Sequence, residues 1–189
     1  MVPDMSERAW PTGTVTFLFT DIEDSTQKWR SDESAMAVAV AAHYEALERA
    51  IGDFGGVVFK RTGDGIVAAF GDANAAVAAA AAAQEQLELP VRMGLHTGAA
   101  ELRDGDYFGT TLNKAARVMD AGHGGQILTS SATAALLVDQ DLTDLGEHSL
   151  RGLGMPERIF QIGGKEFPIL RAGRSEKGNL PVSPSTFVG

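Results

Sequence analysis

Residues 57–70 read VVFKRTGDGIVAAF, two apolar and β-branched runs on either side of Arg61-Thr62-Gly63-Asp64-Gly65. Glycine reaches positive φ without steric cost and Asp folds its side chain back onto the backbone, so this spacing makes a tight turn. The stretch predicts a β-hairpin with strands at Val57–Phe59 and Ile66–Phe70. Its neighbours on each side decide the fold. Gly13 to Thr20 is apolar and β-branched, which suits a strand covered on both faces. Met36, Val40, Tyr44, Leu47 and Ile51 recur at helical spacing between a cap at Asp32 or Ser34 and the exit at Gly55-Gly56, predicting a helix from about Glu33 to Phe54. Asp72 caps an alanine-rich helix to about Leu87, Pro90 ends it, and Val91 to His96 is another apolar strand. Leu102 to Phe108 surrounds a second tight turn at Asp104-Gly105. Thr110 to Ala121 reads as a helix ended by Gly122, and Gln126–Thr129 and Glu157–Ile162 read as strands. Hairpins mixed with alternating strands and helices indicate an α+β domain, a sheet with helices packed mainly on one face.

Composition limits the function. A chain of 189 residues with 44% apolar content holds one domain with a proper core, plus tails. The net charge of −9 argues against nucleic acid or an anionic membrane as partner, because phosphate backbones bind where Lys and Arg gather. An anionic substrate must then be held by a metal or by a few placed cations. The absence of cysteine excludes disulfides and Cys-ligated zinc or iron–sulfur sites, and the cytosol is the expected location. The longest apolar run, Ala75 to Ala83, is far shorter than the roughly 20 residues of a membrane span. The first twelve residues carry acids and prolines, so no secretory signal is expected. From Lys165 onward Gly, Pro, Ser and charged residues follow no period, as in a linker. The expected layout is a tail at 1–12, a catalytic-type domain at 13–163 and a flexible linker at 164–189.

The first strand runs directly into three acids, Asp21, Glu23 and Asp24, and Asp21 has a counterpart in Asp64 at the hairpin tip. Two carboxylates at the ends of neighbouring strands can converge at a sheet edge, where a pair of hard divalent ions would neutralise them. A helix starting at about Asp24 to Thr26 offers free backbone N–H groups that favour a phosphate. Metals beside a helix start suggest a nucleoside triphosphate. Taken singly, Asp21 and Asp24 read equally well as helix caps and Asp64 as a turn residue. Asn113 and Arg117, four apart in TLNKAARV, lie on one helical face and could reach one phosphate or ribose. Lys60 and Asp106 supply a donor and an acceptor, the pattern that reads adenine rather than guanine. His96, His43, His123 and His148 read as packing or turn residues, as do Trp29 and Tyr107.

Together FTDIEDST, FKRTGDG, DYFGTTLNKAARV and the glycine-flanked Arg151 in SLRGLG resemble the signature of class III nucleotidyl cyclase catalytic domains, the adenylyl and guanylyl cyclases. The resemblance extends from about Gly13 to Ile162. It implies a ferredoxin-like βαββαβ core working as a head-to-tail homodimer with sites at the subunit interface. By motif it makes Asp21 and Asp64 metal ligands with the Ile22 carbonyl added, Lys60 and Asp106 selectors of adenine, Asn113 the ribose-orienting residue and Arg117 the stabiliser of the pentavalent phosphorus. Arg151 stands where many relatives have a triphosphate-binding Lys, and Asp24 where bacterial relatives often have glycine. The implied reaction converts ATP to 3′,5′-cyclic AMP and pyrophosphate with two Mg²⁺ or Mn²⁺ ions. The alternative is a cyclase-like nucleotide-binding domain that regulates a partner without useful turnover. NLPVSPSTFVG resembles the junction between cyclase domains and a nucleotide-binding ATPase module in large bacterial regulators, which implies a chain excised from, or a short version of, such a sensor.

Overall fold

The computed structural model describes residues 9–174. Strand β1 (Gly13–Ile22) leads through the short helix α1 (Ser25–Ser31) into the long helix α2 (Glu33–Asp53). The hairpin β2 (Val57–Thr62) and β3 (Gly65–Phe70) follows, then helix α3 (Ala73–Gln86) and strand β4 (Val91–Arg103). In the sheet these four strands stand in the order β2-β3-β1-β4, each pair antiparallel. That is the ferredoxin-like βαββαβ arrangement expected from the sequence. The chain continues through β5 (Asp106–Phe108), helix α4 (Thr110–Asp120), β6 (Ile127–Ser130), the single turn α5 (Ser131–Ala134), β7 (Leu142–Ser149), β8 (Glu157–Ile162) and the two-residue β9 (Gly173–Arg174). Strand β6 extends the sheet beside β4 in parallel, and β8, β7 and β9 follow outward.

Strand alternation divides the core in two. Leu18 and Ile22 of β1, Ile66, Ala68 and Phe70 of β3, and Val91, Met93 and Leu95 of β4 meet α2 and α3 on one face. Small side chains let α3 lie close, since Ala76, Ala79, Ala80 and Ala83 are all fully buried. Caps act as the sequence predicts, with Asp32 accepting from Ala35 N–H at 2.9 Å and Asp72 from Ala75 N–H at 2.8 Å. Val15 and Phe17 point to the opposite face, where Ala115 and Leu112 of α4 cover them. Most helical packing is therefore on one face, but α4, which carries Asn113 and Arg117, takes the other.

The expected linker starts too early. Residues 164–172 form a strap whose Leu170 is 7% exposed in a cluster with Val118, Leu128 and Ile159, and β9 then pairs with β7. Side chains of the domain hold the strap through its backbone carbonyls, as Gln161 Nε2 does with Lys165 at 2.7 Å, so no periodic pattern was needed to anchor it. The rest of that segment, and the junction-like NLPVSPSTFVG, lie outside the described residues. No helix among the described residues is long and apolar enough to cross a membrane.

Candidate active site

Asp21 stands near the end of β1, with Arg92 of β4 as its direct cross-strand partner. By alternation with Val15 and Phe17 it faces the α4 side of the sheet. The hairpin tip is brought to it by close backbone contact. Thr20 Oγ1 accepts the Ile66 N–H at 2.9 Å, and a Cβ on Gly65 would stand 2.0 Å from the Thr20 carbonyl oxygen. Only glycine allows β3 to start this near β1, and the preceding residue is Asp64. Tyr44 of α2 donates its hydroxyl to the Gly63 carbonyl and fixes the turn from behind.

The electrostatics of this corner are unbalanced. Burial pushes the Asp21 carboxyl above its ordinary value; the Arg92 guanidinium pulls it back and the Asp64 charge raises it further. Asp64 Oδ2 is buried with no hydrogen-bond partner, as is Arg92 Nε. A buried carboxylate oxygen without a donor is costly unless a cation comes to it. Arg92 ion-pairs with one oxygen of Asp21. No group of three or more His, Cys, Asp or Glu side chains lies together among the described residues. The corner thus brings together two carboxylates, fewer protein side chains than a complete metal site needs.

Asp24 adopts φ 56° at the start of α1 and its side chain makes no capping hydrogen bond. That left-handed backbone favours glycine and tolerates Asp, which accounts for the glycine expected here in relatives and removes the reading of Asp24 as a side-chain cap.

Lys60 and Asp106 meet one another, Nζ to Oδ2 at 3.7 Å, both exposed. Beneath them Tyr107 packs edge-on against Phe59 and Phe17, with ring centroids 4.9 and 5.1 Å apart, and Trp10 stacks beside it. Tyr107 is therefore a packing residue, and burial pushes its phenol up to about 12. Asn113 is exposed on α4. One turn on, Arg117 pairs with Asp120 at 2.8 Å and, with Arg151, lines a cavity of about 310 Å³. The structure thus brings together Asp21 with Asp64, Lys60 with Asp106, and Arg117 with Arg151. No hydrogen bond or ion pair among the described residues joins the aspartates to the other two groups.

Residues 74–164 match the family model of the adenylate and guanylate cyclase catalytic domain. The chain is also 30% identical to a solved structure of an adenylate cyclase from Trypanosoma brucei in its monomeric state, superposing with a TM-score of 0.81 over 87% of this chain and 96% of that one. The chain belongs to the class III nucleotidyl cyclase catalytic domains. Among curated relatives, an uncharacterized protein of Mycobacterium tuberculosis is 42% identical over 95% of this cyclase domain chain and 68% of its own length. The receptor-type adenylate cyclase of Trypanosoma equiperdum is 31% identical over 85% of this chain, which spans 47% of that protein.

Two charged residues of the cyclase domain escaped the sequence reading. Arg92, flanked by apolar residues in VRMGLHTG, looks like an ordinary outward-facing strand residue, and its pairing with Asp21 exists only through the β1–β4 register. Arg171 sits in the stretch read as linker, yet it pairs with Glu23 and lines the cavity of Arg117 and Arg151. His96, read as a packed histidine, is buried with Nδ1 2.6 Å from Ser130 Oγ, and burial together with the Lys114 charge lowers it to about 4.

Proposed function

We propose that this domain is an adenylate cyclase, converting ATP to 3′,5′-cyclic AMP and pyrophosphate at sites shared between two copies of the chain. The observation that supports the reading is the buried Oδ2 of Asp64 beside the Asp21 carboxyl, an oxygen to which no group among the described residues donates although Arg92 reaches Asp21. Asp21, Asp64 and the Ile22 carbonyl would hold two divalent cations, Mg²⁺ or Mn²⁺. When bound, such ions favour the ribose 3′-alkoxide and neutralise the departing pyrophosphate.

The chain's own groups do the rest. The 3′-oxygen bonds to the α-phosphorus as the bond to the bridging oxygen of pyrophosphate breaks, and the 3′-hydroxyl proton is lost. Arg117 acts on the charge that builds on phosphorus, Asn113 orients the ribose from the same face of α4, and Arg151 takes the triphosphate. Lys60 and Asp106, already adjacent, would exchange their mutual contact for a ring nitrogen and the exocyclic amine of adenine. Lys60 and Asp64 share one hairpin, so they serve different nucleotides. Two half-sites in each chain, completed by a second chain head to tail, satisfy both.

Cyclic nucleotide formation with Mn²⁺ and either ATP or GTP, on the wild type and on Asp64→Ala, tests the reading. ATP-dependent product from the wild type alone supports it. Equal background in both proteins would leave the silent regulatory reading, which the Arg117–Asp120 and Arg92–Asp21 ion pairs favour because they occupy two arginines of the site. Lys60→Glu with Asp106→Cys should weaken the preference for ATP over GTP; unchanged discrimination would take both residues out of base reading.

A further inference from the structure

The strap at residues 164–172 brings to the site a cation that the family motifs leave out. Its backbone is firmly placed. Leu170 is buried, the Arg171 N–H donates to the Ala121 carbonyl at 2.9 Å, and His123 Nε2 lies 2.9 Å from the Ile169 carbonyl. From this base Arg171 touches two places. It pairs with Oε1 of Glu23, whose Oε2 accepts the Gly124 N–H at 3.1 Å. It also lines the cavity of about 310 Å³ with Arg117, Arg151, Ser149 and Asp120. Glu23 is two residues beyond Asp21, so Arg171 stands between the aspartate corner of β1 and the arginine cavity of α4 within one chain.

The charges around that opening are only partly balanced. Asp120 pairs with Arg117 and Glu23 with Arg171, while Arg151 has no acidic partner among the described residues. Three arginines line one opening, in a chain of net charge −9, and gather positive charge around it. Planar guanidiniums hold phosphate oxygens in pairs and through charge-assisted hydrogen bonds. The Arg171–Glu23 pair keeps its side chains 40% and 19% exposed, so water weakens it. An oligophosphate offering several oxygens to all three arginines is the stronger partner.

We propose that Arg171 is a phosphate-positioning residue, held by Glu23 until an oligophosphate between Arg117 and Arg151 draws it away. Occupancy of the arginine cavity then reaches the loop at residues 21–24, and through it the aspartate corner that belongs to the other nucleotide. That the oligophosphate is a nucleoside triphosphate rests on the cyclase reading; the contest between Glu23 and phosphate for Arg171 does not.

The test uses the full chain and two measurements: calorimetric binding of inorganic tripolyphosphate with divalent metal removed, and steady-state kinetics with MnATP. Arg171→Ala should bind tripolyphosphate about tenfold more weakly than the wild type, the loss of one charge-assisted hydrogen bond. Glu23→Gln frees Arg171 and should bind it more tightly, by up to about fivefold. In kinetics Arg171→Ala should raise KM more than it lowers kcat. If Arg171 only fastens the strap, both variants lose thermal stability and bind tripolyphosphate like the wild type, which overturns the proposal; so does a wild type that binds none. A wild type silent with ATP and GTP that keeps the affinity order Glu23→Gln, wild type, Arg171→Ala refutes the cyclase reading and supports the role of Arg171. An active wild type without that order does the reverse.

Discussion

Replacing Gly94 by alanine adds one methyl group at the contact between β4 and α4. That Cβ would stand 2.3 Å from the backbone nitrogen of Met119 and 2.6 Å from its Cα. A comfortable separation is about 3.5 Å, and a backbone atom cannot rotate out of the way, so α4 must retreat by on the order of 1 Å. Overpacking of this kind costs about 1–3 kcal/mol. The same shift carries Arg117, two residues before Met119, and if Arg117 acts on phosphorus as proposed, a displacement of about 1 Å costs about a hundredfold in rate. Gly98→Ala is the internal control. Its Cβ would meet Thr111 Oγ1 at 2.8 Å and Cγ2 at 3.0 Å, side-chain atoms that can turn aside. The cost there is the hydroxyl's hydrogen bond to the Ala99 carbonyl, about 1 kcal/mol. Urea denaturation followed by circular dichroism gives the stabilities, and initial rates with MnATP give the activities. Gly94→Ala should be the less stable and much the less active of the two. If it matches the wild type within about 0.5 kcal/mol, or if Gly98→Ala is the worse, then α4 is not seated against β4 as described.

Asp21→Ala and Arg117→Ala should each lose about a hundredfold or more in rate, yet an equal mixture should recover about a quarter of the wild-type rate, since half of randomly paired dimers hold one intact site of two. Silence from a mixture shown by native mass spectrometry to contain mixed dimers would refute the shared site. Asp64→Asn removes the charge from a carboxyl whose Oδ2 is buried without a donor, so the metal-free protein should melt higher than the wild type and lose the rise that Mn²⁺ gives the wild type; a preserved Mn²⁺ rise would take Asp64 out of the proposed metal set. His96 has a folded value lowered to about 4 from 6.5, so its neutral form is favoured in the fold. Stability is therefore lost as pH falls from about 6.5 to about 4, by up to about 3 kcal/mol. His96→Gln should flatten the stability profile relative to the wild type across that window, and parallel profiles would show that the ring titrates freely.

Much of the fold was legible because its elements carry strong local signals. The caps at Asp32 and Asp72, the hairpin turn at Gly63–Gly65 and the alanine-rich helix all owe their form to neighbours in sequence. Strand β7 was not legible. In LTDLGEHS only His148 is buried, and a register shift between Asp144 and Gly146 breaks the alternation, so its pairing is dictated by β8. The strap escaped for a related reason: of its apolar run Phe167-Pro168-Ile169-Leu170 only Leu170 is buried, and the groups that hold it come from β8 and from the loop after α4.

The residue types at the candidate site and their grouping into motifs could be read from the chain alone, because spacing along a strand, turn or helix sets what one short segment presents. The sequence therefore sufficed for the two aspartates, the amide and guanidinium of α4, and the donor and acceptor of Lys60 and Asp106. Which of these face each other was settled by strand order. With β1 between β3 and β4, Asp21 lies beside the hairpin tip on one side and Arg92 on the other, contacts that span 43 and 71 positions of chain. Only the assembled sheet makes those meetings, since cross-strand register depends on the packing of the whole core and leaves no trace in local spacing.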